Sequence, residues 1–207
     1  MSAELEIDKL KAEVEKFKQK AKEAKKLKPD KGIETMFRLT SKNHVEFSAM
    51  ADNKANILIS INSIVLSILI SVLYRKLEEY PHMVWPTVIL TVVCLITIVL
   101  AILSTRPNVS KGVFTPDDIK NKKANLLFFG NFHGMSLQDY ESGMKQMLGD
   151  ADYLYSSMIK DIYFLGKVLG KKYKFLRLAF TVFMFGFVIS VLAYIGAELF
   201  LKDYYTY

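Results

Sequence analysis

The chain alternates between long stretches without charge and stretches dense in it. Windows 55–74, 84–103 and 178–197 contain no charged residue, and each is 20 residues long. A helix of that length rises about 30 Å, the thickness of a bilayer's hydrocarbon core. The pattern predicts three transmembrane helices, at 55–74, 84–103 and 178–201 with its end. Around them it predicts a cytoplasmic helix entering the membrane (32–54, starting near Glu34), an outer loop (75–83), a helical and looped cytoplasmic segment (104–177) and an outer tail (202–207). Apolar positions in residues 1–31 run Ile7, Leu10, Val14, Phe17, Ala21, Ala24. That 3, 4, 3, 4, 3 spacing is heptad-like. Both a short oligomerising coiled coil and an amphipathic helix lying on the domain or on anionic headgroups fit it. Pro29-Asp30-Lys31-Gly32 breaks it.

Helix signals recur in the 104–177 segment. Thr115-Pro116-Asp117-Asp118 reads as a start, with proline in the first turn. Ser136 with Asp139 three residues on reads as a cap. Between them, residues 125–134 break the helical rhythm with Gly130 and Gly134 and read as a structured loop. Beyond Gly149-Asp150 the apolar positions Leu154, Met158, Ile162, Leu165 and Leu169 make one stripe, so the chain runs helically from Ala151 into the third span. The fold class is an all-α integral membrane protein: three transmembrane helices and a small helical cytoplasmic domain.

Charge sets the orientation. Segments 1–54 and 104–177 carry 13 and 12 Lys+Arg against 10 and 7 acids, out of totals of 28 and 21. The positive-inside rule places both in the cytoplasm, with the N-terminus inside and the C-terminus outside. Tyr74, Tyr80, Trp85, Tyr204, Tyr205 and Tyr207 then fall on the outer face as an aromatic belt. The net charge of +7 reads as topology plus attraction to anionic lipid. No zinc-ligand spacing or aromatic RNA-binding pattern accompanies it, so nucleic acid is not an expected partner.

Catalysis finds little support. His44, His82 and His133 are scattered, and Asp150, Asp152 and Asp161 fit a solvated helix face. No nucleophile elbow or phosphate-cradling loop is present, so neither an enzyme nor a metal or catalytic cofactor is expected. Cys94, the lone cysteine, lies mid-span. More telling is a polar stripe along the first span: Asn56, Ser60, Ser63, Ser67 and Ser71. Small-residue stripes run along the second (Thr87, Thr91, Cys94, Ile98, Ala101, Thr105) and the third (Gly186, Ser190, Ala193, Ala197). Close helix packing explains such stripes. A polar path lined by the serines is the other reading, and it requires assembly of several copies. Asp52 and Lys54 stand at the membrane edge, where a charge is costly unless paired or snorkelling. With Asn56 they form either an interfacial anchor or a tie between the cytoplasmic domain and the span.

Two stretches carry a resemblance. One is Ala51-Asp52-x-Lys54-Ala55 running into Leu58 and Asn62. The other is Asn125-x-Leu127-Phe128-Phe129-Gly130-x-Phe132-x-Gly134-x-Ser136-x-x-x-Tyr140. With three spans in this order, the chain resembles the transmembrane effectors of the Pycsar antiphage system, from about Phe37 to Ile195. The resemblance implies a bacterial inner-membrane, multi-pass, non-enzymatic effector working beside a pyrimidine nucleotide cyclase. Cyclic CMP or cyclic UMP would activate it to impair the membrane, causing abortive infection. A messenger site needs an aromatic face for the base and a cation for the phosphate. Phe128, Phe129 or Phe132 could supply the first, and Lys122, Lys123 or Lys171 the second. Core phenylalanines and inner-leaflet lysines are the plainer explanation of the same residues. Asp52, Lys54, Asn56, Ser60, Ser63, Ser67 and Ser71 would couple the messenger to the membrane or line a pore in a homo-oligomer. The competing function is a membrane scaffold or accessory subunit that recruits a cytoplasmic partner through residues 1–28.

Overall fold

The computed structural model describes residues 31–73, 76, 79–107 and 125–201, together with 13–16 and 18. The Thr115–Pro116 helix start, the tail 202–207 and nearly all of the heptad-like stretch lie outside the described residues. All regular structure among the described residues is helical. Helix α1 spans Lys31–Ile68 and closes in a π-helical turn, Leu69–Leu73. A 3₁₀ turn at Pro81–Met83 leads into α2, Val84–Thr105. Then come α3 (Phe129–Phe132), α4 (Leu137–Leu148) and α5 (Ala151–Gly196), which ends in a second π-helical turn, Ala197–Leu201. Three helices are long and apolar enough to cross a membrane. At 46 residues, α5 is about 69 Å long.

Local chemistry explains the boundaries. Pro86 sits in the first turn of α2, where its missing N–H breaks no helical bond. The Ser136 hydroxyl accepts from Asp139 N at 3.1 Å and donates to Oδ2 of the same residue at 2.7 Å, starting α4 as the sequence predicts. Asp150 Oδ1 accepts from Tyr153 N at 3.1 Å and caps α5 in the same manner. Segment 125–134 is less irregular than expected, since its middle winds into the single turn of α3.

The chain divides into two compact units. One comprises Asn43–Ser110 and Tyr163–Tyr207 and contains the apolar parts of all three long helices. Its core is small: Ala51, Ala55 and Leu58 of α1, Ala101 of α2, and Leu176 and Ala179 of α5. Alanines let helix backbones approach closely, which is how membrane helices gain packing energy. Thr87, Cys94, Thr97, Ala101 and Ser104 are buried along α2, and Ser190 and Ala197 along the third span. The small-residue stripes of these two spans are thus consumed inside the unit. Their hydroxyls mostly bond carbonyls of their own helix, as Thr97 does to Val93 O and Ser190 to Gly186 O, each at 2.7 Å.

The tightest approach is at Gly186, where a Cβ would lie 2.5 Å from both methyls of Val93. Valine is stiff at χ1 and has no alternative place for two methyls. Gly186→Ala is therefore expected to force α2 and α5 apart at a cost of about 1–3 kcal/mol. The check is a lower thermal midpoint in detergent micelles, with helicity retained at low temperature.

The other unit comprises Met1–Lys42 and Lys111–Ile162. Leu126 is its fully buried centre, packed by Met135, Tyr140 and Met144. Phe37 of α1 stacks on Tyr155 of α5 with ring centroids 6.2 Å apart.

Candidate functional site

The approach to the first span becomes specific in three dimensions. Asp52 leaves α1 toward α5 and meets Lys172, whose Nζ donates to Asp52 Oδ2 at 2.7 Å and to Ser48 Oγ at 2.8 Å. Tyr173 OH donates to Phe47 O at 3.2 Å, and Ser104 Oγ at the end of α2 donates to Lys172 O at 3.1 Å. One short stretch of α5 therefore fastens both neighbouring helices. The Lys172 side chain is 14% exposed and that of Asp52 38%. Asp52 Oδ1 is buried and has no hydrogen-bond partner. The clamp is consequently incomplete: one carboxylate oxygen is paired, and the other loses solvent without compensation.

Beside the clamp lies an open cleft of about 310 Å³. His44, Ser48 and Asp52 form its α1 wall, and Leu165, Val168 and Leu169 its α5 wall. At Gly166 a Cβ would sit 3.4 Å from His44 Nε2, an ordinary contact, so α5 passes His44 here at normal packing distance.

At the other end of the spans, His82 is buried, and its Nε2 donates to Glu198 Oε2 at 3.2 Å. One helical turn deeper, Tyr194 OH donates to Thr87 Oγ1 at 3.0 Å.

Asn56, Ser60, Ser63, Ser67 and Ser71 are all exposed, as is Lys54. The buried face of α1 is instead Ala51, Ala55, Leu58 and Asn62. These four are residues of the first resemblance stretch, so that stretch marks a packing seam. Asn62 Nδ2 donates to Leu58 O at 2.8 Å, while its Oδ1 is buried without a partner. The serines stand on the opposite side. Ser67 and Ser71 bond back to Ser63 O and Ile68 O at 2.9 and 3.3 Å, next to the π-helical turn.

The second stretch is organised by Asn125. Its Oδ1 accepts from Leu127 N at 3.1 Å, its carbonyl accepts from Asn131 Nδ2 at 2.8 Å, and its Nδ2 donates to Asp161 Oδ1 at 3.4 Å. His133 Nδ1 donates to Gly130 O at 3.1 Å. Phe132 lies against Tyr140, centroids 4.6 Å apart. Phe128 is half-buried, and Phe129 contributes backbone to α3. Lys122 and Lys123 lie outside the described residues. Lys171 is exposed and belongs to the unit of the spans, whereas the phenylalanines belong to the other. The aromatic and cationic candidates are thus not brought into one described cluster.

Asp161 is more than a solvated face residue. Burial raises its carboxyl above the usual range, and the Asn125 amide pulls it partly back. A carboxyl raised in the fold contributes stability that is fully present below the ordinary aspartate value and lost as pH rises through the folded value. Asp161→Asn is expected to remove that component. Thermal melts from about pH 4 to pH 7 should then show a flatter profile than the parent chain.

Sequence reasoning named Lys171 and missed Lys172. The signal available was indirect: an aspartate at the membrane edge calls for a cation, without saying which. Among the described residues, no group of three or more His, Cys, Asp or Glu is placed to hold a metal ion.

A family model described as the Pycsar effector protein domain matches residues 35–197, well over half of the 207-residue chain. The match takes in all three apolar segments, the clamp and the Asn125 loop. No curated protein and no solved structure matches the chain.

Proposed function

Because the chain belongs to the Pycsar effector protein domain family, we propose that it is the membrane-acting arm of an antiphage response, gated by a cyclic pyrimidine nucleotide. The family supports an antiphage defence effector rather than a cyclase, and pairing with a cyclase system. Three apolar helices are consistent with a multi-pass inner-membrane protein. Beyond that coarse assignment, the proposed mechanism is non-enzymatic. Cyclic CMP or cyclic UMP binds, copies of the chain associate, and the bilayer loses integrity. The orientation is N-terminus inside and C-terminus outside, which puts the Asp52 end of the spans in the cytoplasm.

The observation that carries this reading is the family match across the spans. The geometry adds two supports. The serine stripe faces out of the unit, where a second copy can meet it. The Asp52–Lys172 clamp is an under-satisfied ion pair, a suitable holder for a resting state that a modest difference in ligand affinity can shift. For the messenger we propose segment 125–134, with Phe128, Phe129 or Phe132 against the base and Lys122 or Lys123 toward the phosphate. Asn125 stiffens that loop, which lowers the ordering cost of binding. If Lys122→Ala with Lys123→Ala leaves nucleotide affinity unchanged, those two lysines leave the site.

The test is purified chain reconstituted in dye-loaded liposomes and challenged with cyclic CMP, cyclic UMP, cyclic AMP or cyclic GMP. Leakage with a pyrimidine nucleotide and with neither purine is expected. Folded, inserted protein that leaks with none of them overturns the gated lesion and favours the scaffold reading.

A further inference from the structure

The ends of three helices meet in one cross-section of the spanning unit. Ala51 and Ala55 of α1, Ala101 of α2, and Leu176 and Ala179 of α5 share one core cluster. The bonds from Lys172 to Asp52 and from Ser104 to Lys172 O tie the same level together. Around it project Lys54 from α1, Arg106 just beyond α2, and Lys171, Lys174 and Arg177 from α5. All five are exposed, and none forms an ion pair among the described residues. Lys172 is the sixth cation of this stretch, and it takes the carboxylate of Asp52. Among the described residues the level thus holds five positive charges without an ion-pair partner, at the boundary where the charge-free windows begin or end.

We propose that this collar is a binding surface for anionic phospholipid headgroups, which gather around the protein as a selected annulus. Five cations on three different helices can each meet a separate phosphate. Exposed Tyr173 places an aromatic ring at the same depth, as interfacial belts do. A lone juxtamembrane charge would orient the chain. A collar with its internal carboxylate already consumed also selects lipid, because each cation near an anionic surface adds about a fivefold bias. Lipids held there bridge α1, α2 and α5, so acidic-lipid content acts on the same helix ends that the clamp joins.

The experiment needs no messenger, so its outcome is separate from that of the proposed gating. The full chain is reconstituted in an equal mixture of phosphatidylglycerol and phosphatidylcholine. Either lipid is supplied in trace as a spin-labelled probe, and the motionally restricted fraction is read by EPR. Expected is a several-fold preference for phosphatidylglycerol at low salt that collapses at high salt. The preference should also collapse in Lys171→Gln/Lys174→Gln/Arg177→Gln. It should survive in the charge-keeping Lys171→Arg/Lys174→Arg/Arg177→Lys, which separates lost charge from lost folding. Equal restriction of both lipids in the parent chain overturns the proposal, as does a preference unchanged by the glutamine substitutions. Loss of the preference on adding inorganic phosphate at constant ionic strength also overturns it, and would assign the collar to a soluble phosphoryl ligand.

Discussion

Lys172→Met in the otherwise intact chain is expected to leak dye without any messenger. The substitution keeps the aliphatic stem and removes the ammonium that holds Asp52 Oδ2 at 2.7 Å. Asp52 Oδ1 is already buried without a partner, so the carboxylate is left with no compensation at the membrane edge. Breaking a fully buried pair costs about 3–5 kcal/mol. Asp52 is 38% exposed, so solvent screens part of this and about 1–2 kcal/mol is the reasonable size. That is a roughly tenfold shift in a two-state balance, enough to raise basal leakage visibly. Asp52→Asn should act in the same direction but more weakly, because the amide still accepts a bond from Lys172. Asp52→Asn with Lys172→Met together should fall back toward the parent chain. Leakage at parent level in Lys172→Met, with only a lowered thermal midpoint, would reduce the clamp to a structural bond.

The second large effect is expected on the outer face of the first span. Ser60→Leu/Ser63→Leu/Ser67→Leu/Ser71→Leu should insert normally and lose messenger-triggered leakage by about tenfold or more, since bulky residues replace the small ones that permit close helix approach. All four positions are exposed, and the packing face made by Ala51, Ala55, Leu58 and Asn62 is untouched. Leucine is at least as favourable as serine against lipid tails, so folding gives no reason for failure. Ser190→Leu is the contrast: that serine is fully buried on α5, and the variant should lose stability in detergent before any leakage assay is informative. A quadruple leucine variant that still leaks fully would remove the serine stripe from the mechanism.

The outline of the spans was legible because charge-free length is a one-dimensional signal. The Ser136 cap was legible for a similar reason, since its partner Asp139 lies within one turn. The direction in which the first span turns was not legible. Its serines recur at helical spacing, but so do Ala51, Ala55, Leu58 and Asn62, and periodicity alone cannot say which stripe is buried. The burial of Ala51 and Ala55 against Ala101 and Ala179 decides it. The clamp was harder still. Asp52 and Lys172 are 120 residues apart, and Lys171, Lys172 and Lys174 are equivalent until the phase of α5 is fixed. Asp161 read as solvated because its neighbour Asn125 approaches from 36 positions away.

The cross-links of α5 have a mechanical meaning. Its bonds to α2 lie at both ends of the span: Lys172 O with Ser104 at one, Tyr194 with Thr87 at the other, the latter reinforced by Glu198 holding His82 just ahead of α2. Its bonds to α1 described above are gathered between Phe47 and Asp52. A beam fixed at both ends resists rotation, while one fixed near a single end can pivot. The α2–α5 pair is held in that two-ended way, whereas the side-chain bonds from α5 to α1 sit at the clamp and the far end of α1, Leu69–Leu73, is held by packing beside α2. Breaking the clamp would therefore leave α1 joined to α5 by apolar packing around Ala51, Ala55 and Leu58 rather than by a directed bond.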